Sequence, residues 1–347
     1  MKKRILGVLA LLLVLTACGS KKEVQELRVY SWGEFIDKNV ISEFEDKFNA
    51  KVIYEEYNSN EQMYNKLQDG SKYDVLVPSD YMIQRLHEED MIQKLDYSKI
   101  PNYENVLPSL KNRQFDPKNE YSVPYFWGNV GILYNKNNVD MKDLESQGWE
   151  ILVNTKYKDR LYFYDSERDA FMIALKALGY SANSSDEKEL NEAYEWLVQM
   201  LETMNPIYSM DDTIDNMRNG IKDLAVVYSG DATWIISENP DMDYYQPQQG
   251  TNNWIDGLVV PKNSPNPDLA HEWINFMLEK ETAIANTTEV GYTSPIQEAI
   301  DEVSTNGGIY EGISSYVTRL GFEKDEEFHY DEALKALMTD LWTRVKV

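Results

Sequence analysis

"LRVYSWGEFIDKNVISEFEDKFNAKVIYEEY", residues 27–57, reads as a strand, a helix and a strand in succession. Its ends, "LRVYSW" and "KVIYEEY", are rich in β-branched and aromatic side chains, which suit a pleated, half-buried surface. Between them "VISEFEDKF" sets Val40, Ile41, Phe44 and Phe48 on one helical face. The pattern continues outward. "NEQMYNKLQ" (60–68) is helical, with Met63 and Leu67 four apart. "YDVLVP" (73–78) is a short apolar strand stopped by Pro78, and "YMIQRLHEEDMI" (81–92) is helical again. Such alternation predicts an α/β fold with an open, parallel sheet.

The later chain repeats the theme. "FMIALKALGY" (171–180) and "DEKELNEAYEWLVQMLETM" (186–204) are amphipathic helices ended at Gly179 and Pro206. The second should turn Leu190, Tyr194, Leu197 and Leu201 inward. "DLAVVYSG" (223–230) is a strand opening onto a turn, and "WIDGLVVP" (254–261) is a strand closed by Pro261. Helices follow at "PDLAHEWINFMLEK" (267–280) and "YDEALKALMTDLW" (330–342). In open α/β sheets ligands bind beyond the carboxyl ends of the strands. The segments there are "SWGEF" (31–35), "VPSDY" (77–81), "YDSERD" (164–169), "YSGDATW" (228–234) and "WIDG" (254–257). Each joins an aromatic to an acid. A carboxylate gives an ammonium group a charge-assisted hydrogen bond, and a ring face adds a cation–π attraction. Trp254 and Asp256 lie two apart on a strand and so share a face.

The ends and the composition narrow the function further. Lys2, Lys3 and Arg4 precede an apolar run, Ile5 to Leu15, too short for an ordinary membrane span, and "LTACGS" then brings the only cysteine, Cys18. With one cysteine no intramolecular disulfide is possible. The 347 residues carry a net charge of −25, and loss of the leader's three cations takes it to −28. A chain so acidic repels nucleic acid and attracts cations. Catalytic parts are scarce. His87, His271 and His329 are far apart, in contexts that suggest exposed faces, and "HEWIN" ends in Asn275 where a zinc-binding HExxH needs histidine. No nucleophile elbow, P-loop or dinucleotide turn is present. No catalytic residue, metal or cofactor is expected.

The leader resembles a bacterial lipoprotein signal, which implies cleavage before Cys18, a lipid on its sulfur, and residues 18–23 as a tether after a signal peptide of 1–17. Across nearly the whole mature chain, "YSWGEFID", "YDVLVPSDYMIQRL", "FDPKNEYSVPYFWGNVGILYN", "ALKALGYSANSSDEKEL" and "VGYTSP" resemble the spermidine/putrescine-binding proteins of bacterial ABC uptake systems. That resemblance implies a two-lobed, periplasmic-binding-protein-like fold of type II, with the ligand cleft between the lobes. Lobe one is expected at 24–133 plus 257–300, and lobe two at 134–256 plus 301–347. The implied ligand contacts are Trp32, Glu34, Phe35, Ser79, Tyr81, Asp169, Tyr228, Asp231, Trp254, Asp256 and Tyr292. Phe35 stands where many relatives have tyrosine, Tyr228 where the family has tryptophan, and Ser166 where spermidine-preferring relatives carry a second acid. The implied partners are a polyamine and membrane permease subunits. The implied location is the outer face of the cell membrane, through the Cys18 lipid.

Plainer roles suit several of these residues. Ser79 and Asp169 fit the first turns of the helices that follow them, and Trp32, Phe35 and Tyr81 fit core positions. Other functions remain open: a polyamine-binding surface sensor or adhesin, or a binding protein for another cationic small molecule. A site for free amino acids would need a basic residue for the carboxylate. The strand-end motifs hold only Arg168, whose ordinary role beside Asp169 is an ion pair.

Overall fold

The computed structural model describes residues 24–209 and 212–346. Cys18, the leader and the tether lie outside them. The strands are β1 (Gln25–Trp32), β2 (Ala50–Tyr57), β3 (Val75–Leu76), β4 (Ser122–Asn135), β5 (Leu161–Tyr164), β6 (Ile207–Ser209), β7 (Leu224–Tyr228), β8 (Met242–Tyr245) and β9 (Asn253–Val259). The helices that frame the site are α1 (Lys38–Phe48), α2 (Asn60–Gln68), α3 (Asp80–Glu88), α4 (Met141–Gln147), α5 (Glu167–Ala177), α6 (Glu187–Met204), α7 (Asp212–Arg218) and α8 (Ser229–Glu238). They are followed by α9 (Pro267–Met277), α10 (Lys280–Val290), α11 (Gln297–Ser304) and α12 (Glu332–Val345).

The opening strand–helix–strand unit forms as its pattern predicts. Asp37 caps α1 by accepting from the Asn39 N–H, Val40 and Phe44 are buried, and Asn49 ends the helix in the left-handed conformation. β1 then pairs in parallel with both β2 and β3. The sheet as a whole is mixed, which corrects the expectation of a parallel one. Strand order is β2-β1-β3-β9-β4-β7-β5-β6, with β8 beside β4. β9 is antiparallel to β3 and to β4, and β4 is antiparallel to β7. Periodicity reports which face of a strand is buried and carries no information on the direction of its neighbour, so the sequence was silent here.

Two further local differences matter. "SGDATW" is the first part of helix α8, not a turn. The inward face of α6 is Leu190, Ala193, Trp196, Leu197, Met200 and Met204, rotated from the face predicted. His271 is buried, not on an exposed face. Its Nε2 accepts from the Asp96 N–H, and Nδ1 lies 2.6 Å from the Pro267 carbonyl oxygen.

Buried side chains gather into two large cores. One draws on residues 27–127 and 254–299, and the other on 130–244 and 328–345. A small cluster of Ile300, Val303, Tyr310 and Tyr316 packs on Leu107 and Ile284. The chain passes between the large cores at three places that lie side by side. β4 is buried throughout, and its first half pairs with β9 while its second half pairs with β7. Next to it, Asn252 bridges Glu326, and Glu326 N–H donates to the Thr251 carbonyl. The candidate residues lie around these crossings.

Candidate functional site

Most candidate side chains lie in a strand or at the start of a helix, whereas Glu34 and Phe35 follow β1 and Tyr292 follows α10. On β9, Trp254 and Asp256 are both buried. The Trp254 ring meets Tyr292 edge-on at 5.2 Å and Tyr228 at 6.0 Å between centroids. Tyr228 in turn packs on Tyr164, and Tyr292 on Phe35. One aromatic wall therefore runs Tyr164–Tyr228–Trp254–Tyr292–Phe35, built from five separate segments. Phe35 is 5% exposed and also touches Tyr125 and Phe126, so it supports the wall from behind.

The wall needs two glycines. A Cβ on Gly128 would collide with the Ser229 hydroxyl and lie 2.7 Å from the Trp254 ring, and one on Gly230 would collide with the Tyr292 ring. Gly128→Ala is expected to cost about 1–3 kcal/mol, by overpacking, in denaturant unfolding. It should also weaken ligand binding, because the Trp254 ring must move.

The acids arrive on helix N-termini. α3, α5 and α8 carry Asp80, Asp169 and Asp231 in their first turns. There the helix dipole favours negative charge. Asp231 accepts hydrogen bonds from Tyr164 and Tyr292, each at 2.8 Å. Asp169 accepts from Tyr228 at 2.7 Å through Oδ2, while its buried Oδ1 has no hydrogen-bond partner. Ser166 caps α5 by accepting from the Asp169 N–H. Asp80 is fully buried, with Oδ1 accepting from the Tyr81 N–H and Oδ2 unpartnered. Asp256 likewise has a buried Oδ1 without a hydrogen bond.

Burial sets the charge state of these groups. Loss of water pushes the Asp256 carboxyl up to about 7, against the pull of the Ser79 hydroxyl beside it. Burial also raises Asp169, opposed by Tyr228, Ser166 and Arg168. Asp80 is raised by burial first and by Glu327 second. Arg168 opposes the shift at Asp80 and Asp169, whereas no cation opposes it at Asp256.

Ser79 and Tyr81 stand at the other side of Asp256. Ser79 bridges Asp256 through the backbone, and Asn60 Nδ2 donates to both the Ser79 and Tyr81 hydroxyls. Ser79 begins α3 without a side-chain capping bond. Trp32 leans on Tyr57 at 4.7 Å between centroids, with a buried Nε1 that lacks a partner. Glu34 differs from the rest. It sits on an exposed turn in the left-handed conformation (φ 51°) and is not drawn into the cluster.

The structure adds Asp80, Tyr57 and Tyr164 to the candidates. Asp80 was visible within "VPSDY", but sequence could not show that both its oxygens point inward. Tyr57 ends β2 beside Trp32 of β1, and that parallel register appears only once the strands pair. Chemically the cluster offers buried acceptor oxygens, aromatic faces and little else. Among the described residues, no group of three or more His, Cys, Asp or Glu side chains could hold a metal ion. Such a surface suits organic ammonium groups joined by apolar linkers.

Known proteins resemble this chain in sequence and fold. The profile of the family described as bacterial extracellular solute-binding protein matches residues 39–309. The chain is 36% identical over 272 residues to the spermidine/putrescine-binding periplasmic protein of Salmonella typhimurium, covering 78% of this chain and 77% of that one. Its fold is similar to that of the spermidine/putrescine ABC transporter substrate-binding protein PotD of Streptococcus pneumoniae, at TM-score 0.77 and 33% identity over 93% of this chain and 98% of that one. It is also similar to the TpPotD lipoprotein of Treponema pallidum, at TM-score 0.81 and 28% identity over 92% of this chain and 99% of that one.

Proposed function

The chain belongs to the bacterial extracellular solute-binding proteins, and on that premise we propose that it captures spermidine and putrescine for an ABC importer. It is a binding protein, not an enzyme. The observation that carries the ligand class is the Trp254–Asp256 pair, with an unpartnered carboxylate oxygen beside an aromatic wall. Asp256 pairs with one ammonium and Asp169 with another. Trp254, Tyr228 and Tyr292 cover the methylene chain between them, while Trp32, Ser79 and Tyr81 border the same space. Asp231, already held by two tyrosine hydroxyls, orients Tyr164 and Tyr292 and adds negative potential. Glu34 reaches the ligand only if its turn folds inward.

In this reading the two cores are two lobes, and the three adjacent crossings are the hinge on which they close over the ligand. Closure removes water from the ammonium–carboxylate pairs and strengthens them. The lipid on Cys18 keeps the protein at the outer face of the membrane, near the permease subunits that receive the polyamine. The sequence "LTAC" supports that anchor.

Titration calorimetry of the soluble chain from residue 24 onward tests the ligand class. Spermidine and putrescine should each give saturable heat at micromolar concentrations, and glutamate should give none. Absence of heat with both polyamines overturns the reading.

A further inference from the structure

Arg168 lies beside Asp169 in sequence, yet the two do not hydrogen-bond to each other. The Asp169 oxygens are engaged with Tyr228 or left unpartnered. The Arg168 guanidinium lies instead between two rings, 4.5 Å from the Tyr81 centroid and 4.3 Å from the Phe328 centroid. It donates to the His329 carbonyl. Both ring distances are well inside the ~6 Å range of a cation–π contact. Burial works against the guanidinium's charge, and the acids Asp80, Asp169 and Glu61 favour it through space. None of the three accepts a hydrogen bond from it.

This is an aromatic cage edged with acids, the same chemistry that suits a ligand ammonium. One of its walls, Tyr81, belongs to the candidate site. Tyr81 packs against both large cores, and Phe328 comes from the C-terminal segment. Asp80 is electrostatically coupled to Asp256, and Asp169 bonds Tyr228, which packs on Trp254. An arginine keeps its charge at any ordinary pH, so the cage always holds a cation. A ligand ammonium directed to the same end of the cleft meets a like charge and an occupied space.

We propose that Arg168 is an internal cation that fills the Tyr81–Phe328 end of the cleft and so limits how many ammonium groups a ligand can place there, favouring short polyamines over long ones. The proposal rests on the polyamine reading above. Arg168 acts as a specificity-determining residue by occupancy. Its removal leaves Asp80 and Asp169 without their compensating charge and the cage open to an ammonium from solution.

The test compares wild type, Arg168→Gln and Arg168→Lys by calorimetry with putrescine, spermidine and spermine. In Arg168→Gln the affinity for spermine relative to putrescine should rise by about tenfold, the scale of one partly desolvated cation–π contact. Arg168→Lys restores a cation in the cage and should keep the wild-type ranking. Three results overturn the proposal: an unchanged ratio in Arg168→Gln, an equal loss of affinity for all three ligands, or a lysine variant that shifts the ratio as far as glutamine does. If Arg168→Gln fails to fold by circular dichroism, Arg168→Met carries the same test, since its apolar tip still fills part of the gap between the rings. Loss of folding in both assigns Arg168 to stability alone and also overturns the proposal. A wild-type protein that binds none of the three ligands speaks against the polyamine reading instead.

Discussion

Asp256→Asn is expected to abolish most polyamine binding while leaving the unliganded protein at least as stable as wild type. The two effects have one cause. Asp256 is 5% exposed, and one of its carboxylate oxygens has no hydrogen-bond partner. A buried charge of that kind is costly until a cation pairs with it. Asparagine keeps the shape and the capacity to face Ser79, but it cannot neutralise an ammonium. Removing one partner of a desolvated, hydrogen-bonded charge pair typically costs about 2–5 kcal/mol, which is roughly 30-fold or more in affinity. In the unliganded protein the same substitution removes a penalty. Calorimetry should therefore show weakened or absent heat, and thermal unfolding near pH 8 should show an equal or higher midpoint. Undiminished binding in the variant would falsify the assignment of Asp256 to an ammonium. A lower midpoint together with lost binding would point to a purely structural carboxylate.

Ligand affinity should rise with pH up to about neutrality and then level off. The Asp256 carboxyl is pushed up to about 7 from an ordinary 3.8, and burial also raises Asp169. The ligand pairs with the ionised form, whereas the unliganded protein below neutrality holds the proton. Each pH unit below 7 then costs about tenfold in apparent affinity for one such carboxyl, and more if the second titrates with it. The polyamine is not the source of the trend, since alkyl ammonium groups stay protonated well above this range. Stability of the unliganded protein runs the other way. The folded state binds the Asp256 proton more tightly than the unfolded chain does. That contribution is fully present below the ordinary carboxylate range and is lost as pH rises through about 7. Two measurements check the signs. Titrations at about one-unit steps from roughly pH 5.5 to about pH 8.5 should show tightening that stops near neutrality, with proton release detected by changing the buffer's ionisation enthalpy. The difference in melting midpoint between wild type and Asp256→Asn should widen from acid to neutral pH. Affinity that is flat across the range sinks the prediction.

Much of the fold was legible in local pattern. The strand–helix–strand unit at residues 27–57 was readable because side-chain periodicity is a property of the backbone conformation alone. The choice of Trp254 and Asp256 was readable for the same reason, since residues two apart on a strand face the same way. Strand direction was not readable, and β4 and β9 run antiparallel to neighbours that the alternation pattern suggested were parallel. Helix α8 was read as a turn because Ser229 and Gly230 are turn formers in isolation, and only packing of Ala232, Thr233 and Ile235 makes the segment helical.

The sequence by itself determined the kinds of groups at the strand ends, acids beside aromatics, and with them the class of ligand we propose. Tertiary structure alone decided which of those groups meet. It set Asp231 between two tyrosine hydroxyls, left Glu34 on an exposed turn, and moved Arg168 from its neighbour Asp169 into a cage made by Tyr81 and Phe328. The reason is physical. Composition and spacing act over a few residues, while desolvation depends on what the rest of the chain brings alongside, and desolvation sets whether a charge is paired, protonated or left waiting for a ligand.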